Sequence, residues 1–180
     1  MNILVPIADG NEEIEFTIIV DVLRRAGISV TTASLMPQKE ITASRNVKIV
    51  ADKLFKEIDT NKFDMIVLPG GGPGSTFMKE HKPLLETLKK FNDDGRMLGA
   101  ICAAPTVLES IGLLNGKQAT CYPSLSEQIK SAKYSTDRVV VDGNIITSQG
   151  PGTAFDFALK IIELVISEES SNKTRKELLL

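Results

Sequence analysis

The segment Met97-Leu-Gly-Ala-Ile-Cys-Ala-Ala-Pro105 places a cysteine between two different apolar patterns. Residues 97–101 form a short apolar run of the kind found in a strand that is buried on both faces. The following residues, up to Gly112, have helical character, and Pro105 suits a first helical turn because its missing N–H is not needed there. The segment therefore predicts a strand-to-helix corner with Cys102 at the corner.

Apolar strands and helical segments alternate on both sides of this corner. The predicted strands are residues 3–8, 29–34, 64–68 and 97–101, and the predicted helices are residues 13–26, 75–80, 83–93, 103–111 and one that follows Gly152. Residues 47–50 favour an edge hairpin arm, and residues 138–141 and 145–147 form a hairpin around Asp142-Gly-Asn. This order predicts an α/β fold with a mostly parallel sheet that helices cover on both faces.

The length of 180 residues suits one domain, which we place at residues 1–167. After Ser167 the sequence becomes polar and charged. We therefore expect residues 168–180 to form a charged, frayed C-terminal tail, although its last three leucines could still pack against the domain.

Composition argues against several classes of protein. The 21 Lys and Arg nearly balance the 23 Asp and Glu, and no basic stretch is interleaved with aromatic residues, so we expect no nucleic-acid partner. The first residues contain neither a basic leader nor an apolar run long enough for a membrane span. The two cysteines form no disulfide framework, which indicates a reducing, cytoplasmic location, and with one histidine they make no metal site.

Cys102 has two interpretations. Free cysteine is among the most buried residue types, and such residues are commonly inert members of a core. At the carboxyl end of a strand, in contrast, unpaired N–H groups of the following helix would lower the pKa of the thiol and create a nucleophile. The spacing by itself leaves both interpretations open.

Glu15 is the candidate partner of Cys102, because it lies on the apolar face of the first predicted helix. The other members of that face are Ile18, Ile19, Val22 and Ala26. Burial would raise the pKa of the carboxyl, and a protonated acid beside a thiol could exchange a proton with it. Alternatively, Glu15 lies at the helix end and simply reaches water.

The glycine-rich segment Pro69-Gly-Gly-Gly-Pro-Gly-Ser75 follows a predicted strand, and its amides could line an anion or oxyanion pocket. Taken alone, the segment is more typical of a plain turn, since it lacks the full spacing of a nucleotide-binding loop.

His81, the single histidine, lies in the charged segment Lys79-Glu-His-Lys-Pro, which we expect to be exposed. A Cys-His pair or a Ser-His-Asp triad is therefore not expected.

Five ordered motifs resemble the ThiJ/PfpI superfamily and, within it, the DJ-1 branch with its bacterial relatives. They are Asp9-Gly-Asn-Glu-Glu-Ile-Glu, Arg24-Arg-Ala-Gly, Leu68-Pro-Gly-Gly, Ala100-Ile-Cys-Ala-Ala-Pro and Thr147-Ser-Gln-Gly-Pro-Gly-Thr. The resemblance covers nearly the whole chain, from about residue 2 to residue 166. It implies a flavodoxin-like three-layer α/β/α sandwich, similar to class I glutamine amidotransferases, with a nucleophile elbow at Cys102.

The resemblance also implies the roles of individual residues. Cys102 and Glu15 match the catalytic pair, and Gly71 and Ala103 match positions whose backbone amides form the oxyanion pocket. The expected substrate or anion pocket, or the rim of a dimer, is formed by Arg25, Arg45 and Tyr122. The implied protein is a homodimer that needs no cofactor and takes a small aldehyde or a glycated molecule as its partner.

Two positions depart from relatives in the superfamily. Ala103 follows the cysteine where the PfpI-type peptidases carry histidine, so peptidase activity by a Cys-His pair is not supported. Where DJ-1 has a pocket histidine, this chain has Tyr122 or Cys121. Any mechanism that requires an imidazole at this place is thereby put in doubt.

We therefore expect a cysteine-dependent enzyme that detoxifies reactive dicarbonyls, either as a glyoxalase that converts methylglyoxal to lactate or as a protein or nucleotide deglycase. An alternative is a redox-sensing, stress-protective or chaperone-like protein with little turnover, because an accessible, activated cysteine also oxidises to sulfinic acid. A nucleotide-binding module is a third hypothesis, and only the glycine-rich loop supports it.

Overall fold

Seven strands form the central sheet of the protein, which a computed structural model describes for residues 1–180. The strands of the chain are β1 (Asn2–Ile7), β2 (Ser29–Ser34), β3 (Glu40–Thr42), β4 (Lys48–Val50), β5 (Lys53–Leu54), β6 (Met65–Leu68), β7 (Met97–Ile101), β8 (Gln118–Ala119), β9 (Lys133–Tyr134), β10 (Val139–Asp142) and β11 (Ile145–Ser148). The order in the central sheet is β10-β11-β7-β6-β1-β2-β5, and every pair is parallel except β10 with β11. The pairs β3-β4 and β8-β9 form two small separate sheets.

Six α-helices accompany the sheet. They are α1 (Glu13–Arg25), α2 (Gly72–Glu80), α3 (Lys82–Asp93), α4 (Pro105–Ser110), α5 (Ala154–Val165) and α6 (Glu168–Glu177). One apolar core joins α1 and α5 to one face of the sheet, and a second core joins α2, α3 and α4 to the other face. The result is a three-layer α/β/α sandwich with a mostly parallel sheet, as the sequence predicts. None of these helices has both the length and the apolar character needed to cross a bilayer.

The central strands are apolar along their whole length because both of their faces are covered. All residues of β6 are buried, and so are residues 3–7 of β1 and residues 98–101 of β7. The order β7-β6-β1 places the carboxyl ends of these three strands side by side at one edge of the sheet. Sites in open α/β sheets form at this kind of edge.

Most predicted elements are confirmed: β2 and β7 have the predicted bounds, and the ends of the others differ by at most three residues. The hairpin around Asp142-Gly-Asn is present, and residues 48–50 pair with β3 as a hairpin arm. The first helix ends at Arg25, and Gly27 follows it with a φ of +80°, a conformation that glycine adopts without strain. The helix after Cys102 starts two residues later than expected, at Pro105.

The prediction of a frayed C-terminal tail is wrong, because residues 168–177 form α6. The Ser167 side chain caps this helix by accepting a hydrogen bond from the Ser170 N–H at 3.1 Å. The small side chains of Ser171 and Thr174 are buried, and Ser171 Oγ donates to the Leu159 carbonyl of α5 at 2.9 Å. A polar composition therefore does not prevent a helix from packing when the residues at its contact face are small.

Candidate active site

Cys102 occupies the sharp turn between β7 and α4 in a backbone conformation that is unusual for its residue type. Its φ is +64°, in the left-handed region that non-glycine residues rarely adopt. Two main-chain hydrogen bonds hold it there, since the Cys102 N–H donates to the Ser148 carbonyl at 2.9 Å and the Tyr122 N–H donates to the Cys102 carbonyl at 2.8 Å. The predicted elbow at Cys102 is thus present, and its neighbours fix its conformation.

A cavity of about 370 Å³ opens onto Cys102. Its lining residues are Glu12, Ser44, Arg45, Gly71, Gly72, Pro73, Cys102, Ala103, Tyr122, Ser124, Leu125 and Pro151. Cys102 retains 9% of its surface exposed, whereas Cys121 is fully buried and does not line the cavity. Of the two cysteines, Cys102 is therefore the one that a small molecule in this cavity can reach.

Glu15 is fully buried at the start of α1, so the alternative in which it reaches water is wrong. Its Oε2 accepts a hydrogen bond from the Gly70 N–H at 2.7 Å, and its buried Oε1 has no hydrogen-bond partner. A Cβ at residue 70 would lie 2.6 Å from the Cys102 Cβ and 2.7 Å from Glu15 Oε2. Only glycine at this position lets the carboxyl and the cysteine come together.

Burial controls the electrostatics of this pair. Burial raises the pKa of Glu15 to about 7, although the hydrogen bonds from the Gly70 amide and from Cys102 act to lower it. Burial, followed by the charge and the hydrogen bond of Glu15, raises the pKa of the Cys102 thiol to about 12. The amides of Gly71 and Ala103 act in the opposite direction but are outweighed. The expected rise for Glu15 is confirmed, and the expected lowering of the thiol pKa is wrong.

The two groups titrate as a pair. Glu15, whose pKa is raised to about 7, ionises before the Cys102 thiol, whose pKa is raised to about 12. Between these two pKa values the pair holds one proton, which the Cys102 sulfur carries while the neighbouring Glu15 carboxyl is ionised. A carboxyl with a pKa near neutrality is able to accept a proton from a neighbouring thiol.

The amides of Gly71 and Ala103 face Cys102 from two different loops. Gly71 has a φ of +93°, and a Cβ there would collide with the carbonyl oxygen of Gly10. Ala103 follows the elbow and is buried. The glycine-rich loop is thus more than a plain turn, because its Gly71 amide acts to lower the pKa of the Cys102 thiol.

The three residues predicted for the pocket or the dimer rim separate into two groups. Arg45 and Tyr122 line the cavity, and Tyr122 is 45% exposed at its mouth. Arg25 lies at the far end of α1, where it forms an exposed ion pair with Asp21 at 2.6 Å. The structure therefore does not place Arg25 in the pocket.

Two buried polar residues were missed by the sequence analysis. Glu13 accepts hydrogen bonds from Ser44 Oγ at 2.9 Å and from the Arg45 N–H at 2.7 Å, so it holds the loop that carries Arg45. Burial opposes ionisation of Glu13, but the hydrogen bonds from its own amide, Ser44 and Arg45 hold its pKa below the usual range. Asn11 bonds to the loop after β6. The sequence could not predict these contacts, because each joins segments that are far apart in the chain and hydrophobic periodicity reports only local structure.

His81 is half-buried, so the expectation that it is exposed is wrong. Its ring packs against Phe55 and Phe77, and its Nδ1 accepts a hydrogen bond from the Leu84 N–H at 3.2 Å. It does not line the cavity at Cys102. No group of three or more His, Cys, Asp or Glu side chains is arranged to hold a metal ion.

Comparisons with known proteins give the family. The model of the DJ-1/PfpI family matches residues 1–164. Protein dj-1beta of Drosophila melanogaster is 46% identical over 179 residues, which cover 98% of this chain and 96% of that protein. The glutathione-independent glyoxalase DJR-1.2 of Caenorhabditis elegans is 38% identical over 180 residues, which cover 99% and 95% of the two chains. Protein DJ-1 homolog B of Arabidopsis thaliana is 45% identical, but the chain spans only 41% of its length.

Solved structures agree with the fold. The crystal structure of Drosophila melanogaster DJ-1beta superposes with a TM-score of 0.96 at 45% identity, covering 99% of this chain and 97% of that one. Oxidized DJ-1 of Toxoplasma gondii superposes with a TM-score of 0.94 at 39% identity, also covering 99% and 97%. The match of the family model over most of the chain, together with relatives of this identity and coverage, shows that the chain belongs to the DJ-1/PfpI family.

Proposed function

We propose that this protein is a cysteine-dependent glyoxalase, which converts a 2-oxoaldehyde such as methylglyoxal into the corresponding 2-hydroxy acid. The observation that carries the proposal is the fixed, left-handed Cys102 at the cavity with the fully buried Glu15 carboxyl beside it. The Caenorhabditis elegans relative, named as a glutathione-independent glyoxalase and 38% identical, supports the same reaction.

The first step is addition of sulfur to the aldehyde. The Cys102 Sγ forms a bond to the aldehyde carbon, the C=O π electrons move to oxygen, and Glu15 takes the thiol proton. The amides of Gly71 and Ala103 face the sulfur and are placed to stabilise the negative oxygen that develops on the adjacent carbon. Return of the proton to this oxygen gives a hemithioacetal.

The second step moves hydrogen between the two substrate carbons. Glu15 removes the proton from the sulfur-bearing carbon to give an enediolate, the hydroxyl proton on that carbon moves to the former ketone oxygen, and Glu15 returns its proton to the neighbouring carbon. The product is a thioester of a 2-hydroxy acid, which water cleaves to release the acid and the free thiol. The aldehyde carbon is oxidised and the ketone carbon is reduced in the same molecule, so the sequence consumes one water and needs no external oxidant or cofactor.

Lactate formation from methylglyoxal tests this function. We expect Cys102→Ser to abolish turnover and Glu15→Gln to lower kcat by roughly 10²–10⁴-fold, the usual contribution of general acid–base catalysis. Cys121→Ser is the matched control and should retain activity, because Cys121 lies outside the cavity. Lactate production that survives Cys102→Ser would remove the proposed mechanism.

The same cysteine could act on early glycation adducts of proteins or nucleotides, which is the deglycase form of the proposal. Tyr122 lies 45% exposed at the mouth of the cavity, so part of a larger adduct could remain outside. A time course that compares free methylglyoxal with a preformed adduct separates the two reactions. Adduct loss that is no faster than spontaneous release of the aldehyde would leave only the glyoxalase.

A redox-sensing function is the second candidate, and the accessibility of Cys102 supports it. The protein of Toxoplasma gondii has been solved in an oxidized form, at 39% identity to this chain. A sulfinate at Cys102 would lie beside Glu15 and the two amides that face the sulfur. We expect mild peroxide to add two oxygens to Cys102 and none to Cys121. Oxidation with negligible aldehyde turnover would favour sensing over catalysis.

We also propose that the protein is a cytoplasmic homodimer. Ile14 is 51% exposed on α1, which leaves an apolar side chain without cover in the single chain. Sedimentation at micromolar concentration should give twice the mass of one chain, and Ile14→Glu should shift the distribution toward the monomer. A monomer at all concentrations would contradict this part of the proposal.

A further inference from the structure

Asn11 is a buried side chain whose three hydrogen bonds all go to the main chain. It is 1% exposed and lies between β1 and α1. Its Oδ1 accepts from the Ala8 N–H at 2.6 Å, and its Nδ2 donates to the carbonyls of Pro69 at 3.2 Å and Gly70 at 2.6 Å. Because a main-chain donor fixes Oδ1, the amide group has only one orientation.

The two carbonyls that Asn11 binds belong to the peptide groups that supply the site with N–H donors. In a planar trans peptide the C=O and the following N–H point in opposite directions, and the chain contains no cis peptide bond. With its carbonyl held by Asn11, the Pro69-Gly70 peptide directs the Gly70 N–H to Glu15 Oε2, at 2.7 Å. The Gly70-Gly71 peptide in the same way directs the Gly71 N–H toward Cys102.

The loop has little else to fix these peptide planes. Gly70 and Gly71 have no side chains, and glycine is free to rotate about both backbone angles. The carbonyl of Gly70 accepts one further bond, from the Glu12 N–H at 3.0 Å. Asn11 is the side chain that holds both carbonyls at once.

We propose that Asn11 is a positioning residue, whose side-chain amide orients the two peptide groups that present the Gly70 and Gly71 N–H donors to Glu15 and Cys102. Asn11 does not line the cavity, so it acts through these peptides and not on the substrate. The inference rests on the proposed function only in taking Cys102 as the nucleophile. Loss of the Asn11 amide should therefore change the reactivity of the Cys102 sulfur, whether or not the protein turns over an aldehyde.

The test is Asn11→Asp, which has the same shape and keeps an acceptor for Ala8 but replaces the Nδ2 amino group, and with it both N–H donors, by one oxygen. We expect alkylation of Cys102 by iodoacetamide at pH 7.5 to slow by about tenfold, the scale on which small errors of placement act. The pH midpoint of alkylation should also move, and the amide resonances of Gly70 and Gly71 should shift in a ¹H–¹⁵N spectrum. The matched control is Asn144→Asp, since Asn144 Nδ2 donates to the Arg96 carbonyl at 3.0 Å at the opposite end of β7.

The outcomes separate this inference from the glyoxalase proposal. A folded Asn11→Asp protein with wild-type alkylation, pH midpoint and glycine resonances would overturn the role of Asn11. If Asn11→Asp does not fold, Asn11→Ser, which keeps one hydroxyl donor, should show the same changes at smaller size, and wild-type behaviour would again overturn the inference. If alkylation and resonances respond while the wild type makes no lactate, Asn11 keeps its role and the glyoxalase proposal fails.

Discussion

Gly70 donates its main-chain N–H to Oε2 of Glu15 at 2.7 Å, from a position where no side chain fits. A Cβ at Gly70 would meet both Cys102 and Glu15, so the absence of a side chain here lets the acid and the thiol approach each other. The chemistry of the site thus depends on a residue that has no functional group.

Gly70→Ala should disrupt the pair. The new Cβ would lie 2.6 Å from the Cys102 Cβ and 2.8 Å from the Ile101 carbonyl, so sulfur and carboxyl must move apart. We expect a loss of unfolding free energy of about 1–3 kcal/mol, as for other overpacked sites, and a slower alkylation of Cys102. Gly72→Ala is the control, because a Cβ at residue 72 meets nothing within 4 Å. Equal effects of the two changes would contradict this account.

The stability of the fold should depend on pH through Glu15. Its pKa is raised from 4.5 to about 7 in the folded protein, so the stabilisation of the protonated form is fully present below about pH 4.5 and is lost as the pH rises through 7. The unfolding free energy of wild type, relative to Glu15→Gln, should fall by roughly 3 kcal/mol between pH 4 and pH 8. Denaturant titrations of both proteins measure this difference. A constant difference would show that folding leaves the pKa of Glu15 unchanged, which would contradict this account.

The reactivity of Cys102 should follow the first proton lost by the pair. We expect the rate of alkylation by iodoacetamide to rise as the pH increases through about 7, because Glu15 then becomes able to accept the thiol proton. In Glu15→Gln this inflection should disappear. Measurements in a Cys121→Ser background exclude alkylation elsewhere. An inflection that persists near pH 7 without Glu15 would assign it to another group.

Arg45 and Arg25 should behave differently on substitution. Arg45 lines the cavity, and its guanidinium makes a single hydrogen bond, from Nη1 to the Ser44 carbonyl at 3.2 Å, so its other donors can bind a substrate oxygen. We expect Arg45→Ala to raise KM severalfold and to change kcat by less than about twofold, the pattern of lost ground-state binding. Arg25→Ala should change neither parameter, since it removes only an exposed ion pair on α1. An equal rise of KM in both variants would indicate that both residues act at the pocket, for instance across a dimer.

The C-terminal helix should contribute to stability. A chain that ends at Ser167 loses α6 and the hydrogen bond from Ser171 to Leu159, and it exposes the surface of α5 that α6 covers. We expect a loss of about 1–3 kcal/mol in the free energy of unfolding. Removal of residues 179 and 180 alone should have little effect, because Leu179 is 94% exposed. Unchanged stability of the shorter chain would show that α6 adds nothing to the domain.

Part of the site could be predicted because its signals are local. The apolar run before Cys102 and the proline after it indicate a strand-to-helix corner, and the spacing of Ile19 and Val22 puts Glu15 on a buried face. The strands and the hairpin around Asp142-Gly-Asn follow from the same kind of pattern. The role of α6 could not be read in this way, because its packing depends on small polar residues that carry no hydrophobic period.

The sequence by itself determined the order of the elements, the corner at Cys102 and the family, because these depend on residues that are close together in the chain or on motifs that keep their order. The tertiary structure alone decided the contacts between the carboxyl ends of β1, β6 and β7, among them Asn11 with Pro69 and Gly70 with Glu15. It also decided the protonation of the pair, since the pKa of a carboxyl depends on how completely the folded protein removes it from water.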